Sequence, residues 1–253
     1  MPLSDTPLLI VNADDFGWNR GATDLAVECF AAGQITSTTA LVNMEDSERA
    51  AAIGREGGFP IGLHLNLTDP FTGSDLDPAE RERQAAACRI FGGGGLRLRS
   101  WTYDPRIAGL VEDAIRDQVE RFRATFGREP THVDGHNHVQ VCPNVVRARA
   151  LAGFKLRNAL WAWPSDRGAM AYARAARRAL TARRFLTPRY FFDVAQLHRL
   201  APERAAARLG LAREGAVEVM CHPGFGHELE ALRAPAWAET IAALPRGSYR
   251  DLG

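Results

Sequence analysis

Lysine is almost missing: Lys155 is the only one among 31 basic residues, which stand against 30 acidic residues in a chain of 253. The net charge of +1 supplies no field for gathering nucleic acid or an anionic membrane, so neither partner is expected. No C-x-x-C pair occurs. Cys29, Cys88, Cys142 and Cys221 lie far apart, which argues against a thiolate zinc site or a disulfide framework and leaves reduced, mostly buried thiols. There is no G-x-S-x-G, which removes the usual serine-hydrolase elbow. The run Gly92 to Gly95 lacks a following Gly-Lys-Ser/Thr and is a flexible loop rather than a phosphate cradle. Residues 1–7 carry no basic segment, and Leu8 to Val11 is far shorter than a signal-peptide core or a membrane span. A cytoplasmic protein without membrane insertion is expected.

Hydrophobic residues make up 46% of the chain, ample for one core, and no linker or internal repeat divides residues 1–253. Short apolar runs predict strands at Leu8 to Asn12, Thr36 to Val42, Ile61 to Leu67, Thr131 to Asp134, Phe154 to Arg157, Tyr190 to Val194 and Val217 to Cys221. Helical segments separate them. One runs from Gly21 to Ala32 ahead of Gly33, another from Ser47 to Gly57-Gly58, and Asp77-Pro78 marks a further start. After Asp104-Pro105, the stripe Val111, Ile115, Val119, Phe122 and Phe126 marks a longer helix ended by Gly127. Helices are also expected over Pro143 to Ala152, Asp166 to Arg184, after Pro202 and near Trp237 to Leu244. The fold class is therefore α/β: a single-domain distorted or incomplete (β/α) barrel of about seven strands, with an open doubly wound sheet as the alternative. Residues 68–103 are the least regular part and are expected to form an insertion over the mouth of the site.

Four motifs sit where strand-like runs stop: Asn12-Ala13-Asp14-Asp15-Phe16-Gly17, Gly62-Leu63-His64, His132-Val133-Asp134-Gly135-His136-Asn137-His138, and Cys221-His222-Pro223-Gly224. In a parallel sheet such positions converge on one end, and aspartate with histidine is a metal-ligand chemistry. Asp14 and Asp15 repel unless a cation separates their duties, one ligating and the other taking a proton from water; a helix N-cap pair explains them equally well. His64 alone reads as a core histidine, and the second motif changes that. A turn at Gly135 swings His136 into the crevice, and one histidine of this cluster ligates, leaving Asp134 and His138 as supporting or substrate-contacting groups. His222 fits a general acid better than a fourth ligand, because the metal needs open positions. Arg157, at a strand end, either holds an anion or developing oxyanion at the mouth or makes a surface salt bridge. Trp161 and Trp163 either stack on a sugar or pack in the core.

These motifs, with Thr36-Ser37-Thr38-Thr39-Ala40-Leu41-Val42-Asn43, resemble the YdjC-like carbohydrate deacetylases, which include chitooligosaccharide deacetylases, over nearly the whole chain. The resemblance implies a barrel hydrolase that removes an acetyl group from an N-acetylated sugar with one divalent metal ion. It implies His64, His136 and Asp15 as metal ligands, Asp14 as general base and His222 as general acid. Magnesium is often assigned to this family, whereas two imidazoles and a carboxylate favour zinc. Where family members often carry Asp-Ser-His-His-His, this chain has Asp134-Gly135-His136-Asn137-His138, without the middle histidine. The competing expectations are a metal hydrolase of another bond, such as a phosphoester, and a non-catalytic sugar-binding protein on the same barrel. A small N-acetylated sugar is the expected partner, and a homodimer the default assembly.

Overall fold

A computed structural model describes residues 3–93, 99–160 and 168–253; Gly94, Gly95, Trp161, Trp163 and Asp166 lie outside them. The chain runs β1 (Leu3–Ser4), β2 (Leu8–Phe16), α1 (Arg20–Ala31), β3 (Ser37–Ala40), α2 (Ser47–Gly57), β4 (Ile61–Leu65), α3 (Pro78–Phe91), α4 (Ala108–Phe126) and β5 (Val133–Gly135). It continues through α5 (Pro143–Val146), α6 (Ala169–Arg184), β6 (Thr187–Pro188), β7 (Tyr190–Asp193), α7 (Val194–His198), α8 (Pro202–Gly210), β8 (Ala216–Cys221), α9 (Gly226–Arg233) and α10 (Pro235–Ala242). Two compact units interleave along the sequence: residues 1–14, 25–37 and 155–253 form one, and residues 15–24 and 38–154 the other.

In the first unit β2 pairs in parallel with β8, from Leu8 opposite Ala216 to Ala13 opposite Cys221. β7 lies on the other side of β8, with Phe192 opposite Val219. Every residue of β8 is buried, so a nearly continuous apolar run is needed there. Glu218 is the exception. Leu8, Ile10, Ala216, Tyr249 and Leu252 pack as one core cluster. Lys155 Nζ donates to the carbonyls of Tyr249 and Leu252, both at 2.6 Å, so the only lysine ties down the last turn of the chain.

In the second unit β3, β4 and β5 are parallel neighbours, with Thr39 opposite Gly62 and His64 opposite Asp134. The α4 stripe Val111, Ile115, Val119, Phe122 and Phe126 is buried as its spacing predicts, and Phe122 stacks on Phe126 at 4.3 Å. Asp77 caps α3 by accepting from the N–H groups of Ala79 and Glu80. A Cβ on Gly62 would lie 2.5 Å from the ring of His132, so only glycine lets that ring pack against β4.

The main sheet has the order β5-β4-β3-β2-β8-β7, with β5 and β7 at its two ends. Among the described residues it is a six-stranded α/β half-barrel, the incomplete barrel of the sequence expectation with one strand fewer. The missing strand is Phe154 to Arg157. Leu156 forms an isolated bridge there, its N–H donating to the Leu186 carbonyl, and the run does not extend into a strand. The helix expected over Pro143 to Ala152 is only the four residues of α5 and a 3-10 turn at Arg149–Leu151. No helix among the described residues is long and apolar enough to cross a membrane.

Candidate active site

β2 runs on through Phe16, so Asp14 and Asp15 belong to the strand rather than following it. They are not a helix cap either. Asn19 Oδ1, at 2.9 Å, accepts from Ala22 N–H in the first turn of α1. Successive strand residues alternate between faces, but Asp15 takes a left-handed backbone (φ 66°) that breaks the alternation. The two neighbouring carboxylates thereby enter different sets of partners.

Asp15, His64 and His136 form a three-donor cluster within the second unit. Asp15 Oδ1 lies 3.4 Å from His64 Nε2 and 3.2 Å from His136 Nδ1, and the two nitrogens lie 3.4 Å apart. Oδ1 is buried yet accepts no hydrogen bond. Burial pushes the Asp15 carboxyl up, but its contacts with His136 and His64 outweigh this and hold it well below the usual carboxylate range. A buried, unsatisfied carboxylate oxygen facing two imidazole nitrogens is a cost to the fold that a cation removes, so the residues fit a divalent metal.

Strand pairing orients His64. Asp134, its register partner on β5, is fully buried and accepts from His64 Nδ1 at 2.7 Å. That bond commits the imidazole to offer Nε2 as a lone pair toward Asp15. Thr39 on β3 donates to the other Asp134 oxygen at 2.9 Å. His136 follows β5, and its ring lies 5.0 Å from that of Trp18. Gly135 is extended, not the turn expected from the sequence; the chain turns at Asn137 and His138, both left-handed with φ 55° and 59°.

Not every histidine of the motif reaches the cluster. His132 is fully buried beside Gly62, a core histidine, and His138 is half-buried and outside the three-donor set. Asp69 was not legible as a partner. Its Oδ2 lies 3.1 Å from His136 Nε2, and the only signal was an acid five residues after His64.

Within the first unit a second constellation surrounds Asp14. Arg157 grips both its oxygens, Nη1 to Oδ2 at 2.6 Å and Nη2 to Oδ1 at 2.7 Å, and Asn12 Nδ2 donates to Oδ1 at 2.9 Å. Arg157 Nε donates to Glu218 at 2.8 Å, and the Tyr249 hydroxyl donates to the other Glu218 oxygen. Arg157 is wholly buried, so it is neither an exposed anion clamp nor a surface salt bridge. Two carboxylates supply the charge that lets a guanidinium stay there.

His222 completes this group. Its Nε2 lies 3.9 Å from Asp14 Oδ2, and Glu228 holds it from the other side, with Oε1 3.3 Å from Nδ1 and Oε2 accepting from the His222 backbone N–H at 2.6 Å. Glu228 and Glu218 were both missed. A charged residue inside the apolar β8 run was the available signal for Glu218, since a buried charge implies a partner.

Residues 8–243 match the family model described as YdjC-like protein. A chitooligosaccharide deacetylase of Enterobacter sp. (strain 638) is 32% identical over 97% of this chain and 99% of its own length. Carbohydrate deacetylase of Mus musculus is 36% identical over 63% of this chain; the match spans only 51% of that relative, and 46% of its Homo sapiens counterpart. Among solved structures, a protein of Enterococcus faecalis V583 provisionally described as a cellobiose-phosphate cleavage protein superposes with a TM-score of 0.66 over 97% of this chain and 98% of its own, at 23% identity. The chitin deacetylase of Colletotrichum lindemuthianum gives 0.50 at 10% identity, over 100% of this chain and 91% of its own. Both likenesses are of fold.

Proposed function

Because this chain belongs to the YdjC-like protein family, we propose that it is a metal-dependent hydrolase that removes the acetyl group from an N-acetylated carbohydrate. The observation that carries the reading is the mutual 3.2–3.4 Å spacing of Asp15 Oδ1, His64 Nε2 and His136 Nδ1. The reading agrees with the name of the Enterobacter relative, a chitooligosaccharide deacetylase matched over 99% of its own length.

Asp15, His64 and His136 would hold the ion, which supplies Lewis acidity at the amide carbonyl and makes water easier to deprotonate. Asp14 takes the proton from the attacking water, its carboxylate kept in one orientation by the two-pronged Arg157 contact. His222 Nε2 gives a proton to the departing nitrogen while Glu228 fixes Nδ1 as the protonated ring nitrogen. Water adds to the acyl carbon, the C–N bond breaks, and acetate and a free amine leave. Arg157 is fully occupied by Asp14 and Glu218, which removes the one arginine the sequence offered for a phosphoester.

Zinc fits the donors better than magnesium. Two imidazole nitrogens and one carboxylate suit a borderline-soft ion such as zinc, whereas magnesium prefers an all-oxygen set. The deciding experiment incubates the zinc-loaded and magnesium-loaded protein with N-acetylated sugars from monosaccharide to chitooligosaccharide and assays released acetate. Acetate release that stops on chelation supports the reading; none from any sugar with metal bound sinks it.

A further inference from the structure

The metal-facing nitrogen of His136 needs an anchor on the far side of the ring, as His64 has in Asp134. Asp69 occupies that position: Oδ2 lies 3.1 Å from His136 Nε2, the nitrogen that does not face Asp15. The carboxylate is itself held by several groups. Thr68 Oγ1 donates to Asp69 Oδ2 at 2.7 Å, and Asn66 Oδ1 accepts from the backbone N–H groups of Thr68 and Asp69 at 3.1 and 3.0 Å.

The loop is fixed from below as well. Buried Gln118 on α4 accepts from Asn66 N–H at 2.9 Å and donates to Asn66 O at 2.7 Å, a two-bond clamp on the chain three residues before Asp69. From the other side Asn137 Nδ2 donates to Thr68 Oγ1 at 3.0 Å and reaches Asp69 Oδ2 at 3.4 Å. The left-handed backbone of Asn137 (φ 55°) belongs to the turn that directly follows His136. The loop after β4 and the turn after β5 are thus tied together around one imidazole.

We propose that Asp69 is a positioning residue for the metal centre: it fixes the ring of His136 so that Nδ1 faces the ion, with Asn137 and Thr68 holding the carboxylate in place. This rests on the metal centre proposed above. A carboxylate behind a ligand histidine sets its tautomer and raises its basicity, and removing such a partner weakens metal affinity by about 10–100-fold.

The test measures zinc affinity of the wild-type chain, Asp69→Asn and Asn137→Ala by competition with a chelator, with the thermal midpoint of each metal-free protein alongside. Asparagine keeps the shape and one acceptor oxygen, so the fold of the loop survives. The expected result is an Asp69→Asn dissociation constant about 10–100-fold higher than wild type, a smaller rise for Asn137→Ala, and unchanged metal-free midpoints. A wild-type chain that binds zinc and an Asp69→Asn variant that binds it equally overturn the inference and leave the proposed function standing. A loss of affinity matched by a lower metal-free midpoint makes Asp69 structural and overturns it too. A wild-type chain that binds no zinc overturns both.

Discussion

Asp134 and His64 face each other across two neighbouring parallel strands, with Asp134 Oδ1 2.7 Å from His64 Nδ1 and both residues all but inaccessible. The pair turns strand register into a fixed orientation of the imidazole. A histidine whose Nδ1–H is committed to a buried carboxylate can present only Nε2 outward, and that is the nitrogen beside Asp15.

His64→Ala and His136→Ala should each abolish tight zinc binding, because either change removes one of three protein donors. Zinc content after gel filtration, by elemental analysis, checks this. Asp134→Asn keeps all three donors and should weaken zinc by about 10–100-fold instead of eliminating it. Full zinc content in His136→Ala contradicts the assignment.

Asp14→Asn and Asp15→Asn should separate cleanly despite being neighbours. Asp14→Asn is expected to keep its metal and lose turnover by about 10²–10⁴-fold, since the amide cannot take a proton from water. Asp15→Asn should release the metal. Parallel measurement of zinc content and kcat distinguishes them, and equal metal loss in both makes Asp14 a ligand.

His222→Ala should lower kcat on an N-acetyl sugar by about 10²–10⁴-fold with metal content unchanged. An activated acetate ester has a leaving group that needs no proton, so its hydrolysis should suffer much less. Equal losses on amide and ester remove His222 as the acid. Glu228→Gln, which leaves the ring but not its charged partner, should fall between wild type and His222→Ala.

Arg157→Met should destabilise the fold by about 3–5 kcal/mol, because Asp14 and Glu218 stay buried without their cation. Urea unfolding monitored by circular dichroism measures it. Adding Glu218→Gln should recover part of the loss, because it removes one of the two buried carboxylates that Arg157 neutralises. A single variant as stable as wild type shows that the ion pairs contribute nothing to folding.

Cys29 and Cys221 should resist alkylation at pH 8 until the protein unfolds. Burial pushes the Cys29 thiol up to about 11, and burial together with the nearby Asp14 and Glu228 charges pushes Cys221 up as well. Both are therefore thiols at pH 8. Half-buried Cys88 should be labelled first. Mass spectrometry of iodoacetamide-treated native protein decides, and early modification of Cys29 contradicts the burial.

The alternation of strands and helices was legible in the sequence because it depends on local rules; that Asp15, His64 and His136 are the candidate ligand set came from the family resemblance, since spacing left open which aspartate and which histidine of the cluster would join His64. Apolar runs mark buried strands, Gly58 and Gly127 end α2 and α4 in the left-handed conformation that glycine tolerates, and the candidate ligands stand at or near strand ends. Partners were not legible. Asp69 on a loop, Glu228 on α9 and Glu218 inside β8 reach their histidine or arginine, and Tyr249 in the last turn reaches Glu218, only after the chain has folded, and no spacing along the sequence encodes those meetings. Arg157 shows why. By itself a strand-end arginine belongs at the surface, but Asp14 and Glu218 arrive from 143 and 61 residues away to neutralise it. The sequence determined which side chains could ligate or carry a proton; the tertiary structure alone decided which charges could be buried, because burial of a charge is permitted only by a counter-charge that another part of the chain delivers.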